Sequence, residues 1–459
     1  MNSTVSIDGH LPLDSPLSLR PALSRLPKYM RPLSLYDVRS LWERDTRQLP
    51  WALRGDRRRL RNFAERELAP RVATFDLAPH RSPGQTSPET QEILQIAGRA
   101  GYLSDLLPWP LGSSAPATAL YPLVWLQSLK TEEFAAVDGG LMLLLCAHGL
   151  GAAPLVLSGD MRAVRRYLLP AHRQSQAGDP HLFAYGLTEP AIGSDHIGTP
   201  LQEGYKPGSV AKRAAGGWKL TGRKIFISGG DLARSICVFA PLENEGLESM
   251  TCFLVGSDMP GFRVARTELK MGMRASGAAE LVFDEVFVPD ERVLGRIRNG
   301  WATHLVTMNY SRIPVAGMAV GFARAASEAA TAFACRARLG NKELINYQEV
   351  QLMIAQMIAD TTAARALLWQ VARKSFAPRD DEAAICKFYV TDAAMKVCEM
   401  AMDLASNHGM LYGNRIEKIY RDARLTQIFE GTNQINRLSV ISDQQEHLLA
   451  EIAKYHSEA

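Results

Sequence analysis

The chain has 459 residues, which is long enough for about three domains at a typical ~150 residues each and excludes a short peptide module. Hydrophobic residues make up 46% of the chain and charged residues 22%, a globular composition that excludes a disordered or collagen-like protein. The net charge of +4 is too small over this length to indicate nucleic-acid binding, and six scattered cysteines without a Cys-x-x-Cys pair indicate neither a zinc site nor a disulfide framework.

The first part of the chain divides into two regions. Residues 1–35 are rich in proline and serine and lack a sustained period, which predicts an N-terminal extension. Residues 36–182 show helical spacing of apolar residues and predict a helical N-terminal domain. Its most apolar stretch, 139–157, contains His148 and Pro154, so we interpret it as a buried helix and turn rather than a membrane span. The first residues lack the pattern of a secretory signal, and we expect a cytoplasmic protein.

The texture changes in the middle of the chain. Between 183 and 298, short β-branched and aromatic runs separated by glycine or proline predict a β domain. Helical spacing then returns in three long segments and in a shorter one from Ile416, which predicts a helical bundle over 299–459. This order is an α+β arrangement without alternating βα units, so we do not expect a doubly wound nucleotide-binding sheet.

The first segment with chemical interest is YGLTEPAIGSD at 185–195, where the helical domain meets the β domain. The hydroxyls of Thr188 and Ser194 are able to hydrogen-bond a flat heteroaromatic ligand or a phosphate, and glycine permits close approach of the backbone. A polar turn between domains accounts for the same residues. The segment by itself leaves both interpretations open.

The second segment is RDARLTQIFEGTNQINR at 421–437. Glu430 follows the apolar Phe429 and precedes Gly431, so we expect its carboxylate at a break in a helix, in partly apolar surroundings. Such burial raises the pKa of a carboxyl group toward the range useful for a general base. A helix C-terminus with a solvated glutamate is the alternative.

Taken together, the two segments resemble the acyl-CoA dehydrogenase family of flavoproteins, over most of the chain from about Leu35. LTEPAIGSD at 187–195 is similar to the first signature of that family, and IFEGTNQI at 428–435 is similar to the segment that carries its catalytic base. Further matches follow in the order of the family: GRKIFIS at 222–228, KMGMR at 270–274, FVP at 287–289 and RARLG at 336–340.

The resemblance implies a helical N-terminal domain, a central β-barrel-like domain and a C-terminal four-helix bundle, in a homodimer or homotetramer. It implies FAD in a cleft that a neighbouring subunit completes with Arg336 and Gln348. The full set implied to line FAD is Tyr185, Leu187, Thr188, Gly193, Ser194, Phe226, Ser228, Arg336, Gln348, Thr432 and Gln434. The set implied to line the substrate is Ser194, Asn309, Arg312 and Gly431.

The reaction implied by the resemblance is α,β-dehydrogenation of an acyl thioester, carried by coenzyme A or an acyl carrier protein, in fatty acid metabolism. Glu430 would remove the α-proton, FAD would accept the β-hydride, and an electron-transfer flavoprotein or another acceptor would reoxidise the flavin. Some members of the family place the base on an earlier helix, just before an arginine. Here that position is Ser311, before Arg312, so Glu430 is the sole candidate.

This sequence departs from the family at several positions. Phe226 stands where tryptophan is usual, and Asn309 stands where aspartate is common. Asp403, Ser406 and Asn407 replace residues of a usual Gln-x-x-Gly-Gly, and an acidic Asp403 beside a pyrophosphate would weaken FAD binding.

Two alternative functions remain open at this stage, a nucleic-acid-associated flavoprotein of the same superfamily and a carrier-protein-specific biosynthetic oxidase. Five arginines at 54–61 bear on the first alternative, although we interpret them as a solvated helix face and expect no nucleic-acid partner. The histidines lack the spacing of metal ligands, so no metal is expected.

Overall fold

The structure, a computed structural model, describes residues 40–78, 85–115, 120–193, 207–374 and 378–457. The predicted extension at 1–35 lies outside the described residues. The chain divides into two compact units, 1–59 and 60–459. The first unit contains helix α1 (Leu41–Gln48) and the start of helix α2 (Trp51–Phe63). Arg57 of α2 is fully buried, so the prediction that this arginine-rich segment is a solvated face is wrong for Arg57.

Helices fill the second unit up to the first strand. One of them, α6, is continuous through Pro154, so the turn predicted there is absent. It is long and apolar enough to cross a membrane, yet 67% of its most apolar window is buried inside the protein, as in the core helix of a soluble protein. These helices are α3 (Val72–Leu77), α4 (Pro88–Arg99), α5 (Leu123–Ala135), α6 (Gly139–Leu157), α7 (Met161–Ala163) and α8 (Leu169–Gln176).

Two four-stranded sheets form the middle region, with strand orders β1-β4-β5-β8 and β2-β3-β7-β6. Every residue of β4 and β5 is buried, because the second sheet covers one face of the first sheet and helical residues cover the other. The strands are β1 (Phe183–Gly186), β2 (Val210–Ala214), β3 (Gly217–Ser228), β4 (Ser235–Ala240), β5 (Thr251–Gly256), β6 (Phe262–Thr267), β7 (Ala278–Pro289) and β8 (Val293–Leu294).

The sheets do not close into a barrel over the described residues. The predicted α+β order of a helical region, a β region and a helical bundle is confirmed, whereas the closed form of the β domain is not found. The exact domain boundaries at 35, 182 and 298 stay a prediction.

The C-terminal bundle follows β8, and its long helices lie at the predicted positions. A further long helix, α13, was not predicted. A two-stranded hairpin of β9 (Arg338–Leu339) and β10 (Lys342–Glu343) connects the first two helices. The helices are α9 (Gly300–Ala334), α10 (Gln348–Ala372), α11 (Asp380–Ala405), α12 (Ile416–Arg424) and α13 (Asn433–Ser457).

The backbones of α9 and α5 touch. A Cβ atom at Gly317 would lie 2.5 Å from the Ser128 carbonyl oxygen, and one at Gly321 would lie 2.5 Å from the Glu132 carbonyl oxygen. Only glycine fits such an approach without moving backbone. The middle of α9 is therefore held against α5, a short distance along the helix from Ser311 and Arg312.

Candidate active site

Glu430 lies in a tight turn that joins the end of α12 to the start of α13. Its backbone is left-handed, with φ of 57°, and Gly431 follows with φ of 80°. A non-glycine residue rarely adopts this conformation, so surrounding contacts must hold it. Asn436 supplies two of them, since its side-chain N–H groups donate to the carbonyl oxygens of Gly431 at 2.9 Å and Thr432 at 3.0 Å.

The Glu430 carboxylate is aimed at helix α9. Its Oε2 accepts a hydrogen bond of 2.8 Å from the Ser311 hydroxyl. Burial raises the pKa of Glu430 above its ordinary value, although the Ser311 hydrogen bond and the charges of Lys387 and Arg312 partly oppose that rise. Among the described residues, Oε1 accepts no hydrogen bond. One carboxylate oxygen is thus held and the other is available to accept a proton.

Arg312, next to Ser311, is buried beside this turn. Its Nη1 donates to Asp380 Oδ1 at 2.8 Å and to Asn309 Oδ1 at 3.2 Å. Its Nε is buried and has no hydrogen-bond partner within the described part of the chain. A buried N–H of a guanidinium needs an acceptor, so this atom points to a polar ligand group at the site. The structure therefore places the predicted residues Asn309, Arg312, Gly431 and Glu430 close together.

The signature at 187–195 is fixed to strand β3. Lys224 of β3 is buried, and its Nζ donates to the Leu187 carbonyl oxygen at 2.9 Å and to Glu189 Oε1 at 2.8 Å. The Ile225 N–H donates to the Thr188 carbonyl oxygen at 2.9 Å. Leu187 is buried and Thr188 is half-buried. Gly193 ends this described stretch, and Ser194 lies outside the described residues.

Tyr185 of β1 has a buried hydrogen-bond partner that the sequence analysis missed. Its hydroxyl lies 2.7 Å from Nδ1 of His304, which belongs to α9. The Trp301 ring lies 5.0 Å from that imidazole, centre to centre. The pair joins the predicted flavin-lining strand to the helix that carries Ser311. Apolar neighbours around one histidine were the only signal in the sequence.

Phe226 and Ser228 lie at the irregular end of β3. The register of β3 against β7 shifts between Lys224 and Ile227, and Phe226 there has φ of 56°. Phe226 is 60% exposed. An aromatic face presented in this way, beside the backbone of Thr188 and Ile225, fits a flat heteroaromatic ring. These residues therefore fit the predicted flavin.

The other predicted cofactor residues lie on the bundle. Arg336, Gln348 and Gln434 are exposed, and Thr432 caps α13 by accepting a hydrogen bond of 3.3 Å from the Ile435 N–H. Contact of Arg336 and Gln348 with the FAD of a neighbouring subunit stays a prediction.

The unusual segment at 403–407 ends helix α11. Asp403 and Asn407 are exposed, and Ser406 has φ of 50°. Glycine is usual at Ser406 in the family that the sequence resembles, and this backbone conformation explains that preference. Ser406 therefore strains the backbone at the end of this helix.

Lys387, a further residue of the site, was not predicted from the sequence. This residue of α11 is fully buried, and its Nζ donates to the Gly431 carbonyl oxygen at 2.7 Å. The available signal was one lysine inside the apolar run that contains Cys386 and Phe388.

Comparison with known proteins identifies relatives along most of the chain. The family models "Acyl-CoA dehydrogenase, middle domain" and "Acyl-CoA dehydrogenase, C-terminal domain" match residues 184–286 and 298–444. The short-chain-specific acyl-CoA dehydrogenase of Clostridium acetobutylicum is 28% identical over 84% of this chain and 95% of its own. The caffeyl-CoA reductase-Etf complex subunit CarC of Acetobacterium woodii is 27% identical over 84% of this chain and 96% of its own.

A solved structure shows the same likeness in three dimensions. The butyryl-CoA dehydrogenase of Megasphaera elsdenii matches with a TM-score of 0.76 and 28% identity. The match covers 86% of this chain and 99% of that enzyme, so the likeness extends over its whole fold.

Proposed function

The chain belongs to the acyl-CoA dehydrogenase family and is an FAD-dependent oxidoreductase that acts on the CH–CH bond of acyl-CoA thioesters, and on this premise we propose that Glu430 is its catalytic base. The observation that carries this proposal is the turn at 430–431, which presents a carboxylate of raised pKa beside a buried Arg312. A base with a raised pKa accepts a proton more readily near neutral pH than an ordinary carboxylate does.

The chain's own residues move the proton at a defined atom. Ser311 holds Oε2 of Glu430, so Oε1 is the oxygen that takes the α-proton of the thioester. The Glu430 N–H has no hydrogen-bond acceptor among the described residues, and it therefore serves as a donor for the thioester oxygen, where negative charge grows as the proton leaves. Base and oxyanion donor belong to one residue, which fixes their relative geometry.

The cofactor would be held by residues of two regions. Leu187, Thr188 and Phe226 would line the flavin ring, and Thr432 would contact it from the turn of Glu430. When bound, FAD supplies the acceptor for the two electrons and the β-hydrogen. Strand β3 positions this side of the cofactor site, because Lys224 and Ile225 donate hydrogen bonds to the carbonyl oxygens of Leu187 and Thr188.

We further propose the partners and the setting of the enzyme. The Acetobacterium woodii relative is a subunit of a complex with an electron-transfer flavoprotein, which supports such a protein as the electron acceptor here. The exposure of Arg336 and Gln348 supports a homodimer or homotetramer in which both residues reach the FAD of a neighbour. We place this enzyme in the cytoplasm.

An anaerobic titration tests the function. The FAD-loaded protein is mixed with saturated acyl-CoAs of short, medium and long chain, and the visible flavin band is followed. Wild type should bleach with at least one of them, and Glu430→Gln should bleach roughly 10²- to 10⁴-fold more slowly, which is the usual contribution of a general base. Glu245→Gln, an exposed carboxylate paired with Arg298, is the matched control and should behave as wild type.

Two outcomes would contradict the proposal. Wild type that loads FAD but bleaches with none of these thioesters would reject dehydrogenation. Normal bleaching by Glu430→Gln would reject Glu430 as the base while leaving the reaction in place.

A further inference from the structure

Lys387 is a buried charge next to the turn that carries Glu430. It lies on α11 with no exposed surface, and its Nζ donates to the Gly431 carbonyl oxygen at 2.7 Å and to Asn433 Oδ1 at 2.8 Å. Among the described residues it forms no ion pair. An ammonium group is costly to bury with only neutral oxygens, so its retention at this position calls for an explanation.

The first contact acts on the backbone of the turn. Glu430 and Gly431 are both left-handed, and the Gly431 carbonyl oxygen accepts hydrogen bonds from Lys387 and Asn436. A charged donor makes a stronger hydrogen bond than a neutral one. Lys387 therefore stabilises the strained conformation that aims the Glu430 side chain at Ser311.

The second contact is oriented by a further set of hydrogen bonds. The Asn433 side-chain N–H groups donate to Thr391 Oγ1 at 2.8 Å and to Asp392 Oδ1 at 2.7 Å. With both N–H groups engaged there, the Asn433 oxygen must face Lys387. The Asn433 side-chain oxygen is thus oriented to accept a hydrogen bond from the Lys387 ammonium group.

The third contribution is electrostatic. The charged groups that face Lys387 are Glu430 of the turn, Arg312 of α9, Asp392 of α11 and Arg437 of α13. Burial lowers the pKa of Lys387 to about 7, with Glu430 opposing the decrease, and the Lys387 charge in turn lowers the pKa of Glu430. The two ionised groups stabilise each other across the turn.

We propose that Lys387 is a positioning residue for the base, whose ammonium group holds the Glu430–Gly431 turn in its left-handed form and favours the ionised carboxylate. The kinetic part of this inference rests on the proposed function, because it assumes that Glu430 acts as a base. Its electrostatic part concerns two side chains of this chain and stands without turnover.

The test compares three single variants in FAD-loaded protein. Lys387→Gln retains a hydrogen-bond donor but removes the charge, and Lys387→Met removes both. Lys396→Gln is the matched control, since Lys396 is exposed on the same helix and lies 3.1 Å from Asp360. For each, the rate of flavin reduction by acyl-CoA is measured against pH, together with FAD content and thermal unfolding.

The acid limb of the pH profile reports ionisation of Glu430. We expect it to move up by about one pH unit in both Lys387 variants, because a nearby opposite charge is lost. Lys396→Gln should leave the limb in place. A folded, FAD-loaded Lys387→Gln whose acid limb equals that of wild type would overturn the proposal, because a purely structural lysine leaves the limb unchanged.

A second readout avoids turnover. Infrared spectra of protein carrying isotope-labelled glutamate, taken as a difference against Glu430→Gln, follow protonation of Glu430 directly. The same upward shift is expected in Lys387→Gln, and an unchanged midpoint would overturn the proposal. If wild type reduces no flavin yet this midpoint shifts, then the proposed function has failed and the coupling of Lys387 to Glu430 has not.

Discussion

Two groups of buried charges in this protein each combine a lysine with a carboxylate, and they are arranged in opposite ways. The first, here called the junction cluster, consists of Asp138, Lys418 and Asp422. The second, here called the turn cluster, consists of Lys387, Glu430 and Arg312. Each contains a buried lysine and a buried carboxylate, but the lysine lies against carboxylates only in the junction cluster.

In the junction cluster, the lysine is ion-paired with both carboxylates. Lys418 Nζ lies 2.5 Å from Asp138 Oδ2 and 2.6 Å from Asp422 Oδ2, and Asp422 also accepts from the N–H groups of Met273 at 2.5 Å and Gly139 at 3.3 Å. Burial alone would lower the pKa of Lys418, but the charges of Asp422 and Asp138 outweigh it and raise that pKa. These contacts connect the start of α6, the segment before β7 and helix α12.

In the turn cluster, neither Glu430 nor Lys387 forms an ion pair among the described residues, although Arg312 is paired with Asp380 at 2.8 Å. Glu430 has one hydroxyl donor and Lys387 has two neutral oxygens, so burial raises the pKa of the acid and lowers that of the lysine. Both groups are shifted toward neutral pH, where proton transfer is useful. The comparison shows that direct ion pairing raises the pKa of a buried lysine, whereas burial without such a pair lowers it.

The largest effect is expected from breaking the junction cluster. Lys418→Met leaves two buried carboxylates unpaired and should lower the free energy of unfolding by about 3–5 kcal/mol, as when one partner of a buried ion pair is removed. Denaturant unfolding of the FAD-loaded protein measures it, with Lys396→Met on exposed surface as the control. A Lys418→Met protein as stable as wild type would show that the cluster carries no stability.

A pH series on Lys387 should separate the two buried lysines. Because the folded-state pKa of Lys387 is lowered to about 7 from 10.5, the folded protein binds fewer protons, and wild type should gain stability as pH rises through that window, by up to about 1.4 kcal/mol per unit. Lys387→Met should lack this slope. Lys418 has a raised pKa, so its contribution to stability is complete below pH 10.5 and is lost only as the pH rises above that value. Thermal unfolding between pH 7 and 10 checks the difference, and equal slopes in wild type and Lys387→Met would contradict it.

A smaller effect is expected from the hydroxyl that holds Glu430. Ser311→Ala removes the 2.8 Å hydrogen bond to Oε2 and should raise the pKa of Glu430 by about one unit, since hydrogen bonds to charged groups are worth about 1.5–3 kcal/mol. The acid limb of flavin reduction should move up accordingly. Ser327→Ala is the matched control, because that buried hydroxyl of the same helix donates only to the Ala323 carbonyl oxygen at 2.8 Å. If Ser311→Ala and Ser327→Ala have the same acid limb, the Ser311 hydroxyl does not lower the pKa of Glu430.

The smallest effect is expected outside both clusters. Arg298 and Glu245 form an exposed bidentate ion pair, in which two guanidinium nitrogens each donate to one carboxylate oxygen at 2.8 Å. Because water screens it, Glu245→Gln should leave the thermal midpoint within experimental scatter. A clear decrease in the thermal midpoint would show that the geometry of an ion pair, without burial, is enough to make it contribute to stability.

The sequence predicted the elements that follow from local pattern. The apolar runs at 236–239 and 251–255 are strands β4 and β5, and the long helical segments after 302 are α9 to α11. The position of Glu430 at a break after the apolar Phe429 also followed from local pattern, whereas its role as the base came from the family resemblance and stays a proposal. Helix α13 was missed, since its start lies in a segment interpreted for its chemistry rather than for its period.

The partners of these residues could not be predicted, because they are set by tertiary contacts. Lys387 precedes Gly431 by 44 positions, and Tyr185 precedes His304 by 119, so no local spacing relates them. A lysine inside an apolar run indicates a buried charge, but only the fold shows which groups that lysine contacts.

The contact between α5 and α9 limits how this protein can be redesigned. Gly317 and Gly321 of α9 pack directly against the Ser128 and Glu132 carbonyl oxygens of α5, so the two helices cannot approach more closely. Helix α9 also carries Ser311 and Arg312, so this contact helps to fix their positions. Because the two backbones already touch at these glycines, α9 cannot be moved closer to α5. A redesign of the site therefore has to change side chains and leave the position of α9 as it is.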